Sequence, residues 1–356
     1  MTRILSNEDI AQFLSIDDCI ADLEQSYRDL HAGTAVTRQR SDTLVPTTED
    51  RIYGLKTMDG IAPRLGMSAV RINSDIVSWP LIAGTRRRVK VPAAPNQRYT
   101  GLVLVFSTET GEPLAIMPDG VIQRMRVGAT SALGARYMAR ENASTVAVLG
   151  SGWQAGAQVM AICAVRQITH VRCYSPNAQR RAQFVAEMQA VVNAECIDCA
   201  SPEAAVADAD IVLCATNAIE PVFLAQWMCP GQHLGSIKMS ELAPSVLREA
   251  DRVAVHLGHS KPMLVKARDL HVPDHSAGFG WEMVDAFDFK SCPTLPELVM
   301  GEVQGRTADT DVTCFVNDLG LGLQFAVVAA RCVKIAEAAG IGHQLPTDWF
   351  TEDVHP

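Results

Sequence analysis

Val146-Ala-Val-Leu-Gly150-Ser-Gly152-Trp-Gln-Ala155-Gly156 decides the fold of this chain. An apolar run reads as a buried strand and passes directly into G-x-G-x-x-A, after which a helical pattern begins. The glycine motif alone is a weak signal. The strand before it and the helix after it make it a dinucleotide-binding turn. Gly150 makes the tight turn. Gly152 has no side chain, so the backbone stays open to a pyrophosphate. Ala155 lets the helix pack closely on the strand. The helix start offers free N–H groups and a partial positive charge to phosphates. Gly150, Ser151, Gly152, Trp153, Gln154 and Ala155 are therefore the first expected cofactor-binding residues.

Moving toward the C-terminus, strands and helices alternate. Strands are expected at 145–149, 170–174, 211–215, 233–237 and 253–256, and helices at 154–165 and 178–191. A further helix starts at Ser201-Pro202-Glu203, where serine caps, proline fits the first turn and glutamate suits the dipole. This alternation means a parallel sheet covered on both faces, an α/β Rossmann unit. An acid bonded to the ribose 2′-OH marks an NAD site about 20 residues past the fingerprint. The region instead reads Cys173-Tyr-Ser175-Pro-Asn177-Ala-Gln-Arg180-Arg181. Hydroxyl, amide and guanidinium groups suit a 2′-phosphate. NADP is thus the expected cofactor, with NAD as the alternative, and Ser175, Asn177, Arg180 and Arg181 hold its adenosine end. Thr216 and Asn217 follow a strand and are expected beside the nicotinamide ribose, and Ser236, at a strand end, joins the cofactor set.

Toward the N-terminus, residues 6–33 read as one helix capped by Ser6. From 43 to 106 the pattern is short strand-like runs. Residues 102–106 and 114–117 read as a hairpin across Glu109–Glu112, and 121–140 as a helix. Residues 258–292 give no regular pattern. Residues 320–340 form a long apolar helix expected to pack back on the first part of the chain.

The chain has 356 residues, enough for two domains, and is 48% hydrophobic and 20% charged. Its net charge of −9 argues against a nucleic-acid partner, whose phosphates reward clustered Lys and Arg. No run reaches membrane-helix length. Ten cysteines without an export signal imply the cytoplasm. Cys196 and Cys199 form a lone C-x-x-C. His256, His259, His271 and His275 tempt a metal reading, but Pro273 disfavours a helix between the last two, and no metal is expected.

Several blocks together resemble the ornithine cyclodeaminase/mu-crystallin family. They are Thr110–Met117 with Asp119-Gly120, Arg126–Ala132, the Gly150 fingerprint and Ala207–Val212. Ala215-Thr216, Pro221, Trp227, Pro230-Gly231, Glu241-Leu242 and Thr313–Phe315 follow in the same order. The resemblance implies a Rossmann dinucleotide-binding domain plus an α+β substrate/dimerisation domain built from both chain ends. The expected division is 1–125 with 320–356, and 126–319. It also implies a homodimer and a small amino, imino or oxo acid substrate. Arg126 matches the arginine that pairs with the substrate carboxylate. Arg40 is a second carboxylate candidate, with Arg38 competing.

The departures matter. The family lysine expected near 65–75 is Ser68 in an ungapped reading, with Arg71 three residues on. Alternation puts 68 and 71 on opposite faces, so Arg71 replaces the lysine only through a bulge, and Lys56 is another candidate. The family aspartate after Gly235 has no counterpart in Gly235-Ser-Ile-Lys238. A later aspartate is replaced by Phe325. Cyclodeamination needs several timed proton transfers, whereas reduction needs hydride and one proton donor. Lys238, its pKa lowered in an apolar cleft, is the first candidate donor, and His256 a second. The expectation is an NAD(P)H-dependent reductase or dehydrogenase acting on the C=N or C–N bond of a small imino or amino acid. An NAD-dependent amino-acid cyclodeaminase and a non-catalytic NADP-binding protein are the alternatives.

Overall fold

The computed structural model describes residues 1–48, 51–82, 85–93, 96–258, 262–268 and 287–354. The chain opens with β1 (Thr2–Ile4), α1 (Asn7–Ala11) and α2 (Ile16–His31). The single helix expected over 6–33 is thus two. Ser6 and Asp9 form the capping box of α1, while Ser15 accepts from the Asp18 N–H and starts α2 anew. Next come β2 (Val36–Thr37), β3 (Ser41–Thr48), β4 (Arg51–Ala62) and β5 (Met67–Ser78). After these are β6 (Leu81–Ile82), β7 (Thr85–Arg86), β8 (Val89–Val91), β9 (Thr100–Ser107) and β10 (Pro113–Pro118). The short runs expected here include two strands of 12 residues, β4 and β5, paired antiparallel without a register break.

Helix α3 (Gly120–Met138) leads into β11 (Thr145–Leu149), α4 (Trp153–Val165), β12 (His170–Tyr174) and α5 (Ala178–Gln189). Then follow β13 (Glu195–Asp198), α6 (Pro202–Val206), β14 (Ile211–Cys214), β15 (His233–Ser236), α7 (Pro244–Glu249) and β16 (Arg252–Val255). The chain closes with β17 (Met263–Lys266), α8 (Leu295–Met300), β18 (Thr313–Val316), α9 (Gly322–Ala339) and β19 (His343–Leu345). Two strands of the parallel sheet, β13 and β18, escaped the sequence reading.

The parallel sheet has the order β13-β12-β11-β14-β15-β18-β16. Its first strand, β11, sits between β12 and β14, so the order reverses there and opens a crevice at the strand C-termini. The other sheet runs β17-β3-β4-β5-β9-β10-β1-β19. It takes strands from both chain ends, and also β17, which lies within the stretch assigned by sequence to the Rossmann unit. The anticipated boundary at 125/126 falls inside α3. That helix belongs to one apolar core with α2, α9 and the inner face of this sheet. The apolar α9 packs against β4 and β5, as its composition led us to expect.

Candidate functional site

A cleft of about 670 Å³ lies over the β11/β14 crevice. Gly150 has φ +123°, and a Cβ there would sit 2.2 Å from the Ala215 carbonyl oxygen. Only glycine brings the two strand ends this close. A Cβ on Gly152 would meet no protein atom within 4 Å, so that glycine faces open space. Gly152 is also the N-cap of α4 and supplies no side-chain cap, whereas Ser6, Ser15, Asn177 and Ser201 cap their own helices. The first N–H groups of α4 therefore face the cleft with no capping side chain, which fits the phosphates of a dinucleotide.

Gly150 to Gln154, Ser175, Asn177, Arg180, Thr216 and Asn217 all line this cleft. Ala155 is fully buried beneath it. Ser236 is buried and donates its hydroxyl to the Lys238 carbonyl at 2.9 Å; the wall beside it is Ile237. The Asn177 side chain accepts from the Arg180 N–H at 2.9 Å. Arg181 is turned away from its expected place, because the unforeseen edge strand β13 brings Asp198 to it and the Ser175 carbonyl takes its Nη1 at 2.6 Å. Thr216 donates its N–H and hydroxyl to Glu241 at 2.6 and 2.8 Å. Glu241 also accepts from the Ile237 N–H at 3.1 Å, bracing two loops of the cleft. Arg87, which sequence reasoning missed, crosses from the other sheet's side to donate to the Asn217 side chain at 3.2 Å. Its signal, the run Arg86–Arg88, carries no spacing that reveals such a bridge.

A second cavity, of about 260 Å³, adjoins the first; Gln154 and Ile237 line both. Alternation on β4 and β5 turns Lys56, Arg71, Asn73 and Asp75 to this cavity. Ser68 is on the opposite face, and no bulge is needed for Arg71 to reach the site. The Arg71 guanidinium donates to Asp119 at 2.8 and 2.6 Å. Arg126, on α3, is 5% exposed. It donates to Gln324 at 3.1 Å and to Gln123 at 2.7 Å, and its Nε has no partner. Burial, and then the charge of Arg71, push its pKa down to about 9. Both guanidiniums lie over the Phe325 ring, at 5.2 Å for Arg126 and 5.5 Å for Arg71. A Cβ on Gly320 would sit 2.6 Å from Arg126 Nη1, so glycine there makes room for the guanidinium.

Arg40 reaches the cavity wall but is held by Asp42 in two bonds, at 2.8 and 2.7 Å. Arg38 pairs with Asp59 at the surface. Lys56 donates to Asp75 at 2.7 Å, and Lys90 approaches the same carboxylate at 2.9 Å. Burial lowers the Lys56 pKa to about 8, with the charge of Arg88 adding to it. Burial alone would raise Asp75, but the two lysines hold it below its ordinary value. Lys238 donates to the Ala218 carbonyl at 2.8 Å, and burial lowers its pKa as well.

A model of the ornithine cyclodeaminase/mu-crystallin family matches residues 86–338. The chain belongs to that family. A Delta(1)-pyrroline-2-carboxylate reductase of Bacillus cereus is 29% identical over 255 residues, 70% of this chain and 75% of the relative. The solved Delta(1)-pyrroline-2-carboxylate reductase of Thermococcus litoralis, in complex with NADH and L-proline, superposes with a TM-score of 0.78 at 24% identity. That superposition covers 97% of this chain and 100% of that one. An archaeal alanine dehydrogenase dimer with bound NAD gives 0.77 at 22% identity, covering 97% and 99%.

Within this family member, one expectation needs correction. His256 is fully buried. Its Nδ1 donates to the Leu319 carbonyl at 2.5 Å, and its Nε2 accepts from the Tyr27 hydroxyl at 2.7 Å. Burial drives its pKa down to about 3. It is a neutral structural link and no proton donor. The chain of bonds runs on: Gln324 donates to Tyr27 at 3.0 Å and to Thr130 at 2.6 Å, and accepts from Arg126. The buried histidine thus helps fix Arg126. Phe325 supplies the aromatic floor under both arginines. His259, His271 and His275 lie outside the described residues. Among the described residues no His, Cys, Asp or Glu cluster has the makings of a metal site. Cys196 and Cys199 are free thiols, and burial raises both. No helix among the described residues is long and apolar enough to cross a membrane.

Proposed function

We propose that this protein is an NAD(P)H-dependent oxidoreductase that reduces the C=N bond of a small 2-imino acid, or oxidises the corresponding amino acid. One observation carries this reading. The small cationic cavity opens beside the dinucleotide cleft across Gln154 and Ile237, and it contains a buried guanidinium, Arg126, with an unpartnered Nε. A buried cation without a carboxylate is costly until an anion arrives, and a planar guanidinium suits a carboxylate. Arg126 anchors the substrate carboxylate, with Arg71 and Arg40 adding positive potential from their ion pairs.

The reduced cofactor, when bound, supplies hydride. Gly150 to Gln154 and the uncapped start of α4 hold its pyrophosphate. Asn217, steadied by Arg87, and Thr216, steadied by Glu241, border the cleft where the second cavity begins. Arg180 lines the other end, and no carboxylate lines the cleft among the described residues, which favours NADP(H). Lys56 and Lys238 keep the substrate cavity positive, and closeness to cationic groups lowers proton affinity there.

The protein forms a homodimer in this reading. The face of the large sheet turned away from the cavity carries Val45, Leu55, Ile61 and Leu102, each between 38% and 41% exposed. An apolar sheet face of this kind suits a second copy, and light scattering reports the mass. The functional test is NADPH oxidation with Δ1-pyrroline-2-carboxylate, its six-membered homologue, and 2-oxo acids with ammonia or methylamine. Turnover of a cyclic imino acid is expected. Ammonia release from ornithine or lysine without net cofactor change would instead mark a cyclodeaminase.

A further inference from the structure

The cavity wall carries two carboxylates, Asp75 and Asp318. Asp75 is ionised and fixed by two lysines. Asp318 is different. It follows β18, at the strand ends where a parallel sheet presents its reactive groups. Its neighbours are all pinned. Asn317 takes the Ser236 carbonyl through its N–H at 2.8 Å and donates its amide to the Val127 carbonyl and the Ser131 hydroxyl, at 3.0 and 2.9 Å. The Leu319 carbonyl is held by His256, and Gly320 packs on the Arg126 guanidinium. Of this turn, Asp318 alone brings an ionisable side chain to the cavity wall. No basic side chain forms an ion pair with it among the described residues.

We propose that Asp318 is the catalytic acid that protonates the substrate nitrogen. The proposal rests on the imine-reductase reading above. In a 2-imino acid the nitrogen is on the carbon next to the carboxylate. A carboxylate on Arg126 therefore places that nitrogen close to the turn that touches the anchor, which is the turn of Asp318. Lys238, the alternative, is tied to the Ala218 carbonyl at the wall of the cofactor cleft. In the step, the Asp318 O–H bond breaks and its proton goes to nitrogen. The C=N carbon accepts hydride from the reduced cofactor, which becomes oxidised, and C=N becomes CH–NH. The Asp318 carboxylate is reprotonated by one proton taken up from the solvent, the proton the overall reduction consumes. Burial raises the Asp318 pKa to about 6, against its own and the Leu319 backbone N–H groups and the charge of Arg40, so the acid form is available near neutrality. The other charged groups lining the same cavity are Arg40, Lys56, Arg71, Asp75, Arg88, Lys90, Arg126 and Lys238.

The test compares wild type, Asp318→Asn, Asp318→Glu and Lys238→Met as full-length proteins, with NADPH and Δ1-pyrroline-2-carboxylate. For Asp318→Asn we expect kcat to fall by about 10²–10³-fold. NADPH Kd and the affinity for the unreactive probe pyrrole-2-carboxylate should stay within about threefold of wild type. Wild-type kcat/KM should decline as pH rises past about 6, a limb that Asp318→Asn lacks. Asp318→Glu should keep part of the activity and the limb, which separates chemistry from folding damage. An Asp318→Asn enzyme with near-wild-type kcat, or a limb that vanishes in Lys238→Met instead, overturns the assignment while leaving the reductase reading intact. A wild-type protein that binds NADPH but reduces nothing in the panel overturns both.

Discussion

Replacing Gly320 by alanine should cripple the site while sparing the fold. The Gly320 φ is outside the left-handed region, so alanine fits the backbone. The added Cβ, however, would sit 2.6, 2.7 and 2.8 Å from Arg126 Nη1, Nη2 and Cζ, short of the 3.4 Å at which ordinary contact begins. The guanidinium has to retreat by roughly 0.8 Å, and it moves against hydrogen bonds to Gln123 and Gln324. It is the far end of a flexible side chain, so the cost to folding should be about 1–2 kcal/mol, a few degrees in Tm. The cost to carboxylate binding is larger. Displacing one partner of a buried charge-assisted pair costs about 3 kcal/mol, or about 100-fold. Calorimetric titration of pyrrole-2-carboxylate into the NADPH-loaded protein reads this directly, with NADPH Kd as the internal control. Unchanged pyrrole-2-carboxylate affinity in a folded Gly320→Ala protein would refute Arg126 as the carboxylate anchor.

Two glycines of the fingerprint should behave oppositely. Gly152→Ala meets no protein atom within 4 Å, so Tm should stay within about 2 °C while NADPH Kd rises about tenfold or more. Gly150→Ala meets the Ala215 backbone at 2.2 Å from a left-handed φ, and should lose about 3 kcal/mol of stability, read by urea unfolding. Arg180→Ala should weaken NADPH about tenfold and leave NADH within about twofold, by fluorescence titration; equal losses would remove the 2′-phosphate reading. His256 is held neutral, so the unfolded chain takes up a proton that the folded one refuses as pH falls below 6.5. The folded state therefore loses about 2 kcal/mol between pH 7 and 5 through this residue. Denaturant curves of His256→Gln should show the gap to wild type shrinking by that amount over the same range.

Much of the parallel sheet was legible because its signals are local. An apolar run, a glycine turn and a capping serine each act within a few residues, so β11, α4, α6 and Gly150 could be placed without knowing their neighbours. Long-range pairings were not legible. Strand β13 has no continuous apolar run, yet it supplies Asp198 and so removes Arg181 from the cleft. Alternation correctly separates Ser68 from Arg71, but nothing in the order of residues says which face meets the cavity. Asp318 drew no notice because it belongs to no motif. Its character comes from what the packed chain keeps away from it.

By itself the sequence determined that the chain folds around a dinucleotide-binding βαβ unit, that its family is recognisable, and that Arg126 is the anchor to test. These follow from residue types at fixed short spacings, where backbone geometry does the rest. Only the tertiary structure decided that β17 joins the other sheet, that His256 is a neutral strut, and that Asp75 and Asp318, two aspartates on one cavity wall, differ in proton affinity. Burial and the distance to charges made elsewhere in the chain set those properties, and neither is a local quantity.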